Sequence, residues 1–471
     1  MQANQIPSPR RTLLAVLVAA AVLGGCAVGP TYQRPATAVP AAYKEAKGWQ
    51  PAAPADAVDR GAWWTLFGDP ELNRLENAVN VSNQNIAAAA AAYAQAQAVV
   101  TEQRAAIFPV VSLNGGADRA GGSGTSSTRS RGTTYQASIG ASWEPDVWGR
   151  LRRTVQAAGA SAQASAADLA SARLAAQGTL AVNYFSLRQT DAQMALLRDT
   201  LSGYRRVLQI AQNRYAAGIA PRTDVLQAQT QLANTEADAA GLAQQRAQYE
   251  HAIAVLVGQA PGDFSMTAEK WNATVPAVPV GVPSTLLQRR PDIAAAERRV
   301  AAANEEIGIA ESAYFPTLDL SASYGGAATA ISSLFNASTS LWSLGLSAAQ
   351  TLFNAGATGA RVKEAEAAHA QAVAQYRQTV LTAFQNVEDQ LAATRVLAQQ
   401  LDFRRQASQA ADLAEQQMLN RYQAGQVVYT DVVTAQATAL SARRALVQAE
   451  ADRQTTAVAL IQSLGGGWRA E

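Results

Sequence analysis

Few side chains in this sequence are arranged for covalent chemistry. The 471 residues include two histidines and one cysteine. His251 and His369 stand alone in helical stretches, with no second nitrogen, thiol or carboxylate at a ligand spacing, so neither nominates a metal site or a general base. There is no glycine loop followed by lysine, no zinc spacing and no serine elbow. The expectation is a chain that is not an enzyme and uses no metal or cofactor. Cys26 is the exception. It follows Arg10-Arg11, an apolar run from Leu13 to Leu23, and Gly24-Gly25. Residues 1–25 therefore read as a secretory signal peptide, whose cleavage leaves Cys26 as an acylated first residue. A single thiol excludes disulfides within the chain.

Non-covalent chemistry is concentrated in one motif that occurs twice. Arg214-Tyr215-Ala216-Ala217-Gly218 precedes Thr223-Asp224-Val225, and Arg421-Tyr422-Gln423-Ala424-Gly425 precedes Val427 and Thr430-Asp431-Val432. The two copies lie 207 residues apart (421 minus 214), the offset that also joins Phe108-Pro109 to Phe315-Pro316, Gly149 to Gly356 and Gly258 to Gly465. An unequal insertion would have broken this register, so the chain is a tandem of two structural repeats. Long Ala-rich helical patterns run into and out of each motif. Gly218 and Gly425 suit the left-handed residue that ends a helix, and Thr223 and Thr430 suit the cap that starts the next. Asp224 and Asp431 fall in the first turn, where the helix dipole favours negative charge. Each motif is read as the bend of a long helical hairpin. Arg214, Tyr215, Arg421 and Tyr422 are placed to join neighbouring bends by hydrogen bonds and charge pairs.

The elements that position these bends follow in chain order. Residues 26–70 read as a lipid-anchored tether, rich in Pro, Ala and Gly, with Asp69 and Pro70 opening a helix that runs to about Ala106. Repeat 1 occupies 71–258 and repeat 2 occupies 291–464. Each holds a helix, two strands and a helical hairpin. A proline-bearing linker (259–290) separates them, and 465–471 forms a tail. The long helices, 151–216 and 357–423, would each reach roughly 100 Å at ~1.5 Å per residue. Their recurring small residues (Ala158, Ala162, Ala172 and Ala176; Ala360, Ala367 and Ala374) let helix axes lie close together. The return helices are expected over 223–257 and 430–464.

Between the short and long helices the period changes to two. Val111, Leu113, Gly115 and Ala117 alternate with other residues, followed by a loop over 118–132. Tyr135, Ala137, Ile139, Ala141 and Trp143 then alternate with Thr134, Gln136, Ser138, Gly140 and Ser142. Repeat 2 shows the same with Leu318, Leu320, Ala322 and Tyr324, a loop over 325–340, and Trp342, Leu344, Leu346 and Ala348. One apolar and one small-polar face is the pattern of a strand separating lipid from water. The mature chain has no long apolar helix, so strands are the only means of crossing a bilayer. Four strands cannot close alone, because an open edge in hydrocarbon leaves backbone groups unpaired at several kcal/mol each. Chains must share a barrel; two would give eight strands and three would give twelve. Composition is consistent with packed helices, hydrophobic content being 48% and aromatic content 6%. Without Arg10 and Arg11 the 38 basic residues fall to 36 and match the 36 acidic ones, so a nucleic-acid partner has no electrostatic support.

Taken together, Cys26-Ala27-Val28-Gly29-Pro30-Thr31-Tyr32, Trp63-Trp64 through Leu72, Trp143 to Arg150, Arg289-Arg290-Pro291-Asp292 through Phe315-Pro316, both bends and Ser463-Leu464-Gly465-Gly466-Gly467-Trp468 resemble the TolC-like outer membrane factors, in the lipoprotein branch typified by OprM and NodT. The resemblance implies an α+β membrane protein. A homotrimer would form a twelve-stranded β-barrel in the bacterial outer membrane, continued by a twelve-helix α-barrel in the periplasm. The tether, linker and tail would make an equatorial belt. It implies the exit duct of a tripartite efflux system, fed by a periplasmic adaptor and an inner-membrane pump, usually of the proton-driven RND type. The bends would be the periplasmic gate and adaptor-docking tips. The same channel serving type I protein secretion, or a pore-less lipid-anchored periplasmic scaffold, are the alternatives. One departure from the family pattern is Val427, where related channels often carry an acid two residues after the glycine. Constriction there is expected to depend on apolar side chains, with Asp431 the nearest acid.

Overall fold

The computed structural model describes residues 27–45, 61–120, 132–269, 271–276, 278 and 289–466. The expected signal peptide, Cys26, residues 279–288 and Gly467-Trp468 lie outside these residues. Seven helices and four strands are described: α1 (Pro70–Ser82), α2 (Gln84–Ala105), β1 (Val110–Ala120), β2 (Gly132–Trp143), α3 (Arg150–Ala216), α4 (Arg222–Leu256), α5 (Pro291–Ser312), β3 (Thr317–Ala328), β4 (Ser340–Ala349), α6 (Ala357–Gln423) and α7 (Tyr429–Ser463). Helix boundaries repeat without slippage. Adding 207 to either end of α2, α3 or α4 gives the ends of α5, α6 and α7. The chain divides into two compact units. One contains the described parts of Met1–Ala36, Ala92–Ala166 and Ala295–Arg377; the other contains those of Thr37–Ala91, Ala167–Ala294 and Gln378–Glu471.

The first unit carries the strands. They form one antiparallel sheet in the order β1-β2-β3-β4, so the two hairpins join through β2 and β3. Pairing of Leu113 with Ile139, Ile139 with Tyr324, and Tyr324 with Trp342 puts these side chains on one face. Val111, Trp143, Leu320, Leu344 and Leu346 share that face by the same register. Leu113, Trp342 and Leu344 are at least 75% exposed, so among the described residues nothing covers these side chains. The opposite face holds Ser112, Asn114, Asp118, Thr134, Gln136, Ser138, Ser142, Asp319, Ser321, Ser323, Ser343 and Ser347, with Val110 and Leu341 the large apolar exceptions. The loop expected over 325–340 is shorter than that. β3 continues to Ala328, because Gly325 to Ala328 pair with β2, and two single 3-10 turns complete the connection.

At the base of the sheet a turn feeds α3. Trp148 stacks on Phe315 at 4.8 Å and donates from Nε1 to the Pro316 carbonyl, while both Asp146 oxygens accept from the first amides of α3. The expected tether begins as a packed strap here. The Val28 amide donates to the Trp148 carbonyl, and the Pro30 carbonyl accepts from Arg153 and Asn304. Arg153 also pairs with Glu305 at 2.6 Å, and Tyr32 donates to Glu297 at 2.6 Å. Gly29 lies so close to α5 that a Cβ would fall 2.4 Å from the Gly308 Cα.

In the second unit, Trp63, Trp64 and Phe67 form a buried 3-10 turn beside α1. Asp69 caps α1 as expected, accepting from the Glu71 and Leu72 amides, and its other oxygen accepts from Tyr184. The single helix expected from Pro70 to Ala106 is broken at Asn83, whose extended backbone ends α1. Its side chain accepts from the Asn85 and Ile86 amides and donates to the Leu256 carbonyl. Leu180, Tyr184, Leu187 and Leu201 of α3 are buried in this unit, where the helix pattern shifts from small to large residues. The described part of the linker is held by Arg246, which donates to the Met266 carbonyl and pairs with Asp191, and by Arg188, which donates to the Thr267 carbonyl.

Candidate functional site: the helix bends

Both bends end their first helix in a Schellman motif. The Gly218 amide donates to the Tyr215 carbonyl and the Ile219 amide to that of Arg214; the Gly425 and Gln426 amides do the same toward Tyr422 and Arg421. Gly218 (φ 68°) and Gly425 (φ 75°) supply the left-handed backbone this closure needs. Thr223 and Thr430 are not the caps. Each is the second residue of its helix, and the cap positions are Pro221 and Val428, which have extended backbones and no side-chain cap bond. The ring of Pro221 fixes φ near −75° and starts α4 directly, which leaves Thr223 two residues past the cap position. Asp224 and Asp431 fall in the first turns, as read from the sequence.

The two bends are joined by one asymmetric cluster in the second unit. Arg214 Nη1 donates to the Tyr422 and Gln423 carbonyls at 3.1 and 3.3 Å, at the end of α6, where the regular i to i+4 ladder stops and the Tyr422 carbonyl also accepts from the Gly425 amide. Its guanidinium carbon also lies 4.8 Å from the centre of the Tyr422 ring, a cation–π contact. Tyr422 Oη donates to Asp224 Oδ2 at 3.1 Å, and the ring packs 5.3 Å from that of Tyr429. Val207, Ala211, Ala228 and Val432 complete the buried core, with Val427 partly buried against it. Burial, and then the Asp224 carboxylate, push the Tyr422 hydroxyl up to about 12, so it remains a neutral donor throughout the physiological range. Burial raises Tyr429 likewise.

The equivalent residues of the other copy do not form such a cluster. Tyr215 is 48% exposed, and Arg421 and Asp431 are exposed. The register gives the reason: the position matching Tyr429 is Arg222, so Tyr215 has no aromatic neighbour to pack against. Tyr429 was missed by the sequence reading, although its spacing from Tyr422 and its absence from repeat 1 were visible signals. Val427 packs inward, and the apolar tips are Ile219, Leu226 and Val428, each about half exposed or more. Above the bends, Arg205 pairs with Glu236, Arg443 with Asp412 and Glu415, and Arg444 with Asp238, linking α3 to α4, α6 to α7, and α7 to α4. Among the described residues no group of His, Cys, Asp and Glu could hold a metal ion, and no helix is long and apolar enough to cross a membrane. The arrangement is a mechanical clasp between helix ends.

With the fold and bends described, comparison with known proteins identifies the chain's relatives. The profile of the family described as outer membrane efflux protein matches residues 76–259 and 282–466, one stretch for each repeat. The chain is 32% identical over 465 residues to a probable efflux pump outer membrane protein, TtgC, of Pseudomonas putida, covering 97% of this chain and 96% of that one. It is 31% identical over 468 residues to a pyoverdine export outer membrane protein, OpmQ, of Pseudomonas aeruginosa, covering 97% of each. Among solved structures, the outer-membrane channel OprN superposes with a TM-score of 0.86 at 31% identity, covering 94% of this chain and all of that one. Two matched stretches, two full-length relatives and a superposable channel agree: the chain belongs to the outer membrane efflux protein family.

Proposed function

We propose that this outer-membrane efflux protein is a trimeric exit duct, conducting passively what an inner-membrane pump delivers through a periplasmic adaptor. The observation that carries this reading is the four-stranded sheet with an apolar face, a polar face and, among the described residues, two unpaired edges, β1 and β4. Three copies joined edge to edge give twelve strands, with apolar side chains toward lipid and polar ones toward a lumen. The bends form the periplasmic gate and the tips that meet the adaptor. Arg214, Tyr422 and Asp224 clasp each protomer's two hairpins, while Tyr215, Arg421 and Asp431 remain open to neighbouring chains. The Trp63–Phe67 turn and the pinned linker belong to an equatorial belt around the helices. A lipid on Cys26 anchors the mature chain. The resemblance to the lipoprotein branch favours a proton-driven RND transporter as the pump; the names of the relatives support efflux and export alone.

Purified protein in detergent should run as a heat-modifiable trimer and produce discrete conductance steps in planar bilayers. A water-soluble monomer indifferent to detergent would overturn the reading.

A further inference from the structure

The connection between β3 and β4 does not stand clear of the sheet. Gly326 pairs with Ala137 and with Ser340, so it belongs to the apolar face. A Cβ there would fall 2.3 Å from the Leu334 carbonyl oxygen and 3.2 Å from that of Thr339, so the connection crosses that face directly over this position. A residue without a side chain lets the two backbones approach. The connection also holds its own shape. Thr339 Oγ1 donates to the Ser333 carbonyl at 2.8 Å, and the Leu334 and Asn336 amides close single turns on Ile331 and Ser333. Leu334 is buried, whereas Ile331 and Phe335 are 64% and 86% exposed. Beneath the connection lies a crevice of about 220 Å³ between Leu113, Ala137, Ile139 and Tyr324 of the sheet and Leu334 and Phe335, with no charged residue in its described lining. A charge stands farther along the same face. Arg119, opposite Thr133, is exposed and has no ion-pair partner among the described residues. Gly115, level with Ala137 and Gly326, lies four residues before it, so Arg119 sits roughly 14 Å nearer the rim at ~3.4 Å per residue.

We propose that the crevice and Arg119 together hold one outer-leaflet lipid on each protomer, an acyl chain lying under the β3–β4 connection and an anionic phosphate at the guanidinium. This rests on the pore reading above, in which the apolar face meets the bilayer. The strands join their helices at the other end of the sheet, so the connection and Arg119 lie at the rim away from the periplasm. An uncharged crevice opening on a lipid-facing surface has hydrocarbon as its solvent, and a chain that enters it keeps apolar contacts on every side. An arginine at headgroup level offers a planar fork to phosphate. The chain's own acyl groups belong to the opposite leaflet, because Val28, two residues after Cys26, is bonded at the base of the sheet. The ligand class is the phosphorylated, multiply acylated glycolipid of the bacterial outer leaflet, lipid A.

The test is native mass spectrometry of the full-length trimer, stripped of lipid in detergent and titrated with lipid A or with phosphatidylglycerol. The parent should bind lipid A saturably, one for each protomer, and more tightly than phosphatidylglycerol. Leu334→Ser/Phe335→Ser should weaken that binding about ten-fold or more through lost apolar contact. Arg119→Gln, an exposed change that leaves the connection intact, should weaken it about five-fold. Leu346→Ser, on the same face near the base of the sheet, is the control and should bind like the parent. All variants should retain the heat-modifiable trimer and its conductance. Binding of lipid A that never saturates, equal binding of phosphatidylglycerol, or parental affinity in either the crevice variant or Arg119→Gln overturns the lipid site while the pore stands. If the parent shows no conductance steps, the pore reading itself fails and takes this one with it.

Discussion

Tyr422 and Tyr215 occupy the same place in the two repeats and do different work. Tyr422 is 2% exposed and bonded to Asp224; Tyr215 is 48% exposed. Removing the Tyr422 hydroxyl costs about 1 kcal/mol, enough to shift an open–closed equilibrium roughly five-fold. Tyr422→Phe should therefore raise channel conductance or open probability, and Tyr215→Phe should not; equal behaviour of the two in single-channel recordings would dissociate the clasp from the gate. A second residue has consequences for pH. Glu76 of α1 is fully buried, both carboxyl oxygens lack a partner, and so does Asn73 Oδ1 three residues earlier. Burial pushes the Glu76 carboxyl up to about 9. Below the ordinary carboxylate value of 4.5, folded and unfolded chains both hold the proton; between 4.5 and about 9 only the folded chain does. Stability is therefore lost as pH rises through that window, by about 3 kcal/mol at pH 7. Glu76→Gln should raise the melting temperature at pH 7–8 and lose that advantage near pH 4.5.

At the level of elements, capping decides where helices begin. Asp69→Ala removes the α1 cap and the acceptor of the Tyr184 hydroxyl, and should cost about 1–2 kcal/mol of thermal stability. Asp69→Asn, which keeps an acceptor oxygen, should cost less. The Asp69-Pro70 cap was legible because it is local. So were the bends and the extent of α3 and α6, because the 207-residue offset fixes one copy by the other. What escaped the sequence depends on distant partners. Asn83 breaks the helix by bonding to Leu256, far along the chain. The β2–β3 pairing joins strands separated by the entire first hairpin. Thr223 looked like a cap because its type is right, yet Pro221 had already set the start. The Tyr422 cluster was half legible: Arg214 and Tyr422 were read among the residues joining the bends, but the Asp224 acceptor and burial by Tyr429 required the folded hairpins.

For the whole molecule, the parity of the strands makes a sharp prediction. Leu344 and Ser343 are neighbours in β4 on opposite faces. Arg on the lipid face near mid-bilayer costs about 2–4 kcal/mol, and a trimer repeats that cost in every subunit. Leu344→Arg should abolish recovery of heat-modifiable trimer from the outer-membrane fraction, while Ser343→Arg should preserve it. Comparable losses from both would mean that neither face is turned toward lipid.

The equal lengths of α3 and α6, 67 residues each, have a further consequence. Every residue added to an α-helix turns all that follows by about 100° and advances it by ~1.5 Å. A one-codon insertion midway along either rod would thus swing its lower half out of phase, pointing Tyr422 or Arg214 away from its partner. Substitutions along these rods are absorbed one side chain at a time, whereas a change in length is felt at the far tip.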